Sequence, residues 1–590
     1  DAVEQAALRR PGERMRLRVD PLLPVRTDHQ GRYELRVRLV AGLKGEAHDA
    51  QAVPIVPRGD GAGDRRLTRF EPVEFDVTLP AREGTCDVEL EAVEVGSLRW
   101  ARPLASRTVQ VVAVADGPAD APPGEWKLVH EVDPGSPRLH ERLRRLPGAG
   151  RAQGGLPAIP LPAMPLPTFT RPNVALPNVP LPNVPLPKMP NVPPVSSMVP
   201  RFSGLLVAGH STVEPHALGP MLLLPPAKAA GEPSWEGIVV AGAMPGIPHA
   251  VEIDFPSDQE AVVGASVLEL DAAGALVEVR HAGGFEVRRN PYSETVELSR
   301  HRFVFWPTTR NPLVVVSNPS LRRAAMIGKV RVLAGPARLP AAGRPAGAAR
   351  QTFALWPSPD FTVWGGAERV DEATGRGYAD WGTHLAGIRH SAEWLAARGA
   401  GGALVAVYAQ GAAAWPSTLS RQAPRWGSGA AAETDLDPQA KDVLGLLCRV
   451  YAGQGLRLVA GMAFDAPLPT LETALAAGGT EAIGIVSVGR DGRSRRTSHG
   501  PHYNILDPRV QRAVEEQVRE LAVRLRGAPA ADGVALLLAH DGWLHLPGTA
   551  AALDDVTFAR FLESVGTREP EAGGDRFARR AEMVEGPLRD

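Results

Sequence analysis

The stretch ALLLAHDGWLHLPG, residues 535–548, passes in one step from an apolar run to His540, Asp541, Gly542, Trp543 and His545. A carboxylate between an imidazole and an indole is equipment for sugar chemistry. One acid protonates the leaving glycosidic oxygen, a second carboxylate attacks or activates water, and indoles stack on pyranose faces. Asp465 is the second carboxylate candidate, because it follows the apolar run LRLVAGMAF as Asp541 follows ALLLA. Asp541 and Asp465 are therefore the catalytic candidates, and His540, Trp543, Tyr408, Trp415, His502, Tyr503 and Asn504 the substrate-binding ones. An aspartate before Gly542 also suits a loop turn, and Asp465 ahead of Pro467 suits a turn cap. Both alternatives stay open on sequence.

Parallel strands covered by helices are what could bring these positions together. Residues 380–398 place Leu385, Ile388 and Leu395 on one helical face, stopped by Gly399, and GGALVAVYA follows as a buried strand. Asp437 and Pro438 then start a helix bearing Val443, Leu444, Leu447 and Tyr451, ended by Gly455, before LRLVAGMAF. Asp507 and Pro508 repeat the device before a stripe of Val510, Val514, Val518, Leu521 and Leu525, with Gly527 past its end and GVALLLA beyond. Strands that lack polar alternation are buried on both faces. No GxGxxG or GxxxxGK[ST] follows any of them, which removes the usual nucleotide-binding readings of an open sheet. The expected fold for residues 360–590 is a (β/α)8 TIM-type barrel, whose site lies at the carboxyl ends of its strands. Eight units need about 250 residues, so the barrel is expected to look incomplete in this chain: either the natural protein continues beyond Asp590 or the barrel is a partial one.

Upstream, the expected organisation is multidomain. Residues 1–145 show short period-2 runs such as YELRVRLV and VEFDVTL, which read as an immunoglobulin-like antiparallel β-sandwich. Residues 146–200 are a proline-rich near-repeat of Leu-Pro-x-x-Pro, a polyproline II spacer rising about 3.1 Å per residue. Its protein partner, if it docks one, is unknown. Residues 201–338 return to strands and suit a jelly-roll-like sandwich, in which Trp235, Trp306 and Tyr292 are either sugar platforms or packing. Residues 339–359 read as an Ala/Gly/Pro linker.

The bulk numbers exclude several classes. With 65 basic and 66 acidic side chains the net charge is −1, so no basic field draws nucleic acid. No run is apolar enough for a membrane span. Cys86 and Cys448 fit neither a disulfide framework nor a metal spacing. A zinc site from His540, Asp541, His502 and Asp465 lacks HExxH or HxH spacing, so no metal and no cofactor is expected, and no GxSxG elbow supports Ser-His-Asp hydrolysis. The chain begins at Asp1 without a charged-then-apolar leader, which fits a mature product or a fragment.

At DWGTHLAGIRHSAEWLAARGAGGALVAVYAQGAAAWPS, HYNILDPRVQRAVEEQVRELAVRL and GVALLLAHDGWLHLPGTAAALDDVTFARFLESVG the chain resembles the glycosyl hydrolase family 10-like multidomain proteins of planctomycete-type bacteria. VEIDFPSDQE and HRFVFWPTTRNPLVVVSN extend the resemblance upstream, to roughly residues 201–590. It implies a TIM-barrel, glycosidase-like domain behind β-sandwich modules, outside the cytoplasm. The related retaining glycosidases carry Asn-Glu at the fourth strand end, where this chain has His540-Asp541. The expected function is carbohydrate-active: binding or hydrolysing complex polysaccharide at the strand carboxyl ends. The alternatives are a non-catalytic cell-envelope or surface protein that binds carbohydrate, and a metal-dependent hydrolase.

Overall fold

The computed structural model describes residues 8–25, 32–41, 46–58, 67–96, 103–115, 124–134, 145–146, 211–270, 276–288, 295–342, 353–356, 381–409, 411–422, 442–479, 482–495, 502–538, 544–545, 551–570, 574–586 and 588. The chain is multidomain: antiparallel sandwich-like sheets precede a parallel β/α region. The proline-rich segment lies outside the described residues.

In the first sandwich, Tyr33–Ala41 runs antiparallel between Glu46–Ile55 and Gly84–Glu94, and Ala105–Ala113 continues the sheet. Arg14–Val19 pairs with Val73–Thr78 in a second, two-stranded sheet. The alternation read from the sequence is the reason these sheets face each other. Met15, Leu17, Val37, Leu39, Phe75 and Val77 turn inward into one core, while the arginines and acids between them stay outside.

The second sandwich takes strands from both sides of the proline-rich segment. Lys127–Val132 pairs antiparallel with Val330–Ala334, and Arg145–Leu146 pairs with Ser234–Val239. A domain boundary at 145 therefore runs through this sandwich, because strand pairing joins residues 200 positions apart. Side chains reinforce the pairing: Arg331 donates to Glu131 at 2.7 Å and to Asp254 at 2.8 Å, and Arg300 donates to Asp254 at 2.7 Å.

His249 lies in the same sandwich, fully buried, with Nδ1 2.8 Å from the Ile247 carbonyl and Nε2 accepting from Met244 N. Burial pushes its pKa below the usual histidine value, as it does for His301. The unfolded chain then binds protons that the folded chain refuses, so these histidines favour folding above their ordinary value near 6.5 and progressively lose that contribution as pH falls towards the folded values. The melting temperature of the wild-type chain is expected to fall between pH 7.5 and pH 5, with a shallower slope in His249→Leu, by calorimetry. Equal slopes in the two proteins would remove His249 from the explanation.

The β/α region begins earlier than the sequence reading placed it. Residues 339–359 contain a strand, β1 (Phe353–Trp356), which pairs parallel with β2 (Gly402–Ala409). Next come β3 (Arg457–Ala463) and β4 (Ala531–Leu537), each parallel to the strand before it. These four parallel strands follow one another in chain order, and the same sheet takes two short strands on the β1 side of β2: Ala412–Ala413, antiparallel to the end of β2, and Arg421–Gln422 beyond it. Helices α1 (Trp381–Ala397), α2 (Val443–Gly453), α3 (Pro469–Ala477) and α4 (Pro508–Leu525) lie between the strands in sequence. The start of α4 follows the sequence signal: Asp507 accepts from Arg509 N, and Pro508 occupies the first turn. After β4 come α5 (Asp555–Ser564) and α6 (Arg576–Glu585), which share a small core of Leu553, Phe558, Leu562 and Ala581.

All three units meet at α1 and α2. Trp381 N donates to Gln110 Oε1 at 2.6 Å, Arg389 pairs with Glu83 at 2.5 Å, and Arg449 donates to the Arg9 carbonyl at 2.9 Å. Trp306 of the second sandwich stacks on His390, with ring centroids 4.4 Å apart. Leu8, Val112, Trp306, Leu385, Val405 and Leu447 belong to one continuous core.

Candidate functional site at the carboxyl ends of the parallel strands

Parallel strands in chain order direct all their carboxyl ends to one side of the sheet. Tyr408 sits near the end of β2, and Phe464 and Asp465 directly follow β3. Tyr408 lies 5.4 Å from Phe464 and 6.5 Å from Trp415 by ring centroids. Asp465 is half-buried. Burial pushes the Tyr408 phenol upward, and the nearby Asp465 charge pushes it the same way.

Two glutamates complete the cluster. Glu520 of α4 accepts from Trp415 Nε1 at 3.1 Å, Ser417 Oγ at 2.6 Å, Thr418 N at 2.7 Å and Thr418 Oγ1 at 2.9 Å. Burial alone would raise its pKa, but these hydrogen bonds outweigh burial and hold the carboxyl below the usual range. Tyr503 Oη donates to Glu472 Oε1 at 2.5 Å and accepts from Leu468 N at 3.0 Å. Burial first, and that bond second, push its phenol strongly upward, so Tyr503 stays protonated.

The sequence candidates divide by location. Tyr408, Trp415, Tyr503 and Asp465 come together here. Tyr408 and Trp415 are 1 % exposed and Tyr503 is 0 % exposed, so their rings form the closed floor of the site and offer no open stacking surface. Asn504 is also fully buried, donating to Thr557 Oγ1 at 2.8 Å and to Asp554 Oδ2 at 3.4 Å. That places it under the cap of α5, where it ties the Tyr503–Asn504 strand to the helix. His502 is half-buried, and its backbone bridges Ser487 and Arg495.

His540, Asp541 and Trp543 lie outside the described residues. Their flanks are described: Leu537 ends β4, and Leu544–His545 pairs parallel with Tyr503–Asn504. The separation of Asp541 from Asp465 is therefore not among the described distances.

Trp235 and Trp306 are buried, so packing is their role; Tyr292 lies outside the described residues. Burial pushes the Cys448 thiol up to about 12, which leaves it unreactive as a nucleophile at neutral pH. Among the described residues no group of three or more His, Cys, Asp or Glu is arranged to hold a metal ion, and no helix is long and apolar enough to cross a membrane.

Glu472 and Glu520 were not among the sequence candidates. Both are carried on helices, whereas the selection rule looked only at strand ends and the loops beyond. Nothing in PRVQRAVEEQVRELAVRL separates Glu520 from the helix's other charges.

No family model matches the chain, and no curated protein matches it. Solved structures do. The enzymatically active domain of tailspike protein 4 from bacteriophage CBA120 is 16 % identical over 21 % of this chain, with a TM-score of 0.16, and the match spans 17 % of that protein's own length. The CBM22-1 xylan-binding domain of Xyn10C from Paenibacillus barcinonensis is 10 % identical over 21 % of this chain and 78 % of that one, with a TM-score of 0.16. The CBM22-1–CBM22-2 tandem of the same protein is 8 % identical over 55 % and 80 %, with a TM-score of 0.19.

Proposed function

We propose that this protein binds complex polysaccharide outside the cytoplasm, and hydrolyses it at the carboxyl ends of a TIM-type barrel whose first strands are β1 to β4. One observation carries the reading. Parallel pairing of β2, β3 and β4 sets Asp465 and the end of β4, from which Asp541 is four residues away, on one side of the sheet. In this reading Asp541 is the general acid that protonates the glycosidic oxygen. Asp465 is the second carboxylate. A separation of about 5 to 5.5 Å makes Asp465 a nucleophile with retention, and about 6.5 to 9.5 Å makes it a base for water with inversion.

The test is a polysaccharide-binding array followed by product analysis on the full chain. Asp541→Asn is expected to lower hydrolysis by about 10²-fold or more while leaving binding within a few-fold, since it removes a proton donor and keeps the shape. Unchanged hydrolysis in Asp541→Asn would exclude it as the acid.

The closed rings of Tyr408, Trp415 and Tyr503 leave no stacking platform beside Asp465, which counts against cleavage there and keeps a second reading: a non-catalytic envelope or surface protein that holds carbohydrate elsewhere without cleaving it. Binding without any product from the wild-type chain selects that reading.

A further inference from the structure

We infer that the pocket where the two sandwiches meet α1 and α2 is a binding site for a small oxyanion, a carboxylate or a phosphate, held between guanidinium groups from separate units. All three units supply its wall: Glu83 of the first sandwich, Arg338 just past the Val330–Ala334 strand of the second, Arg389 and Glu393 of α1, Arg449 of α2 and Gln454 at the end of that helix. Counted to its open mouth, the pocket measures about 350 Å³. No residue of the strand-end site takes part, so the pocket does not depend on the carbohydrate reading.

Three guanidinium groups share this wall with two carboxylates, an excess of one positive charge. Glu83 is already committed: Oε1 accepts from Ala115 N at 2.8 Å and Oε2 pairs with Arg389 at 2.5 Å. Glu393 is 8 % exposed and accepts from Leu339 N at 3.4 Å, and burial pushes its carboxyl upward, towards the neutral form. Arg449 donates to a neutral acceptor, the Arg9 carbonyl, at 2.9 Å. Arg338 and Arg389 then press on each other. Burial lowers the Arg389 pKa first of all, the Glu83 charge opposes that, and the Arg338 charge lowers it further. The carboxylates in the wall therefore do not offset what it costs Arg389 to keep its charge here. An oxyanion that accepts from Arg338 and Arg389 together does.

The class of ligand follows from the same groups. A guanidinium is a planar fork whose paired N–H donors fit the oxygens of a carboxylate or a phosphate. One excess charge selects a singly charged group over a polyanion. The negative end of α2 also opens here, but it is blunted: the Tyr451 and Ala452 carbonyls accept from the backbone N–H groups of Gln454, Gly455 and Leu456. Because the donors belong to different units, a bound anion ties the second sandwich to α1 and stabilises the whole junction by mass action.

Titration calorimetry on the full chain at fixed ionic strength reads the site with two probes, inorganic phosphate and sodium glucuronate, against sodium chloride. The expected result is saturable binding of at least one probe at one site per chain, with a melting temperature that climbs with its concentration. Arg338→Gln removes a charged donor from a half-buried position outside every helix and strand. It is expected to weaken binding about 10-fold or more, with the fold retained by circular dichroism. Glu393→Gln keeps an acceptor for Leu339 N, removes the opposing charge and is expected to tighten binding. Phosphate alone identifies a phosphate-bearing ligand, glucuronate alone a carboxylate-bearing one, and both together a site that reads the oxyanion itself; each supports the inference. No binding of either probe beyond chloride, or binding indifferent to both substitutions, overturns it. Weaker binding in both variants overturns it too, since a loosened junction does that without any contact to the anion.

Discussion

Trp381→Ala is expected to lower the unfolding free energy by about 4 kcal/mol and to divide one cooperative melting transition into two. Trp381 opens α1, is fully buried, and is tied by its backbone to Gln110 of the first sandwich. Its core joins Leu8 and Val112 of that sandwich, Trp306 of the second, and Val405 of the parallel sheet. Truncating an indole to a methyl group leaves a void larger than neighbours held by three separate sheets can refill, which puts the loss at the upper end for core truncations. The coupling is lost with it, because the other links are weaker. Arg389–Glu83 is partly solvated on both sides and contributes about 0 to 1 kcal/mol, and the Trp306–His390 stack adds about 0.5 to 1.5 kcal/mol. Calorimetry on the wild type should give one transition and on the variant two, the earlier belonging to a sandwich. A single transition at the wild-type midpoint would show that the three units do not depend on this core.

The extent to which the sequence revealed this arrangement varied with the range of the interaction involved. Local signals carried well. Alternation in RMRLRV and VEFDVT matches their alternating burial, Asp507-Pro508 starts a helix, and Gly399, Gly455 and Gly527 adopt φ of +70°, +64° and +74° just beyond helix ends. Long-range choices did not carry. FALW is four residues long, too short for a period, and is a strand because β2 offers it an edge. KLVHEV looks like the last strand of the first sandwich by proximity, yet pairs with Val330–Ala334 after the proline-rich segment. The site shows the same division. Tyr408, Asp465 and Trp415 were reachable through the rule that strand ends converge, whereas Glu472 and Glu520 enter through hydrogen bonds to loops distant in sequence. The closure of the aromatic rings was equally unreadable, since burial depends on which helices and loops pack above them.

Glu520→Ala is expected to cost about 3 kcal/mol of stability at pH 7, because the residues it serves cannot turn to water instead. Trp415 is 1 % exposed, so its Nε1–H loses its acceptor inside the protein, at about 1 to 3 kcal/mol for an orphaned donor, and the buried Ser417 loses its bond to the carboxylate as well. Thr418 is exposed, and its two bonds to Glu520 can be replaced by solvent, so they add little. Glu520→Gln separates charge from acceptor count: it keeps one carbonyl oxygen but turns an NH2 towards hydroxyl and amide donors, so an intermediate loss is expected. The acid limb gives an independent readout. The folded carboxyl lies below its ordinary value near 4.5, so its contribution is present in full above that value and is lost as pH falls through the folded one. Urea unfolding followed by tryptophan fluorescence should therefore show the wild type and Glu520→Ala far apart at pH 7 and converging below pH 4. A gap that persists undiminished in acid would mean that Glu520 acts through its packing and that its ionised carboxylate is not what holds Trp415 and Ser417 beneath the strand ends.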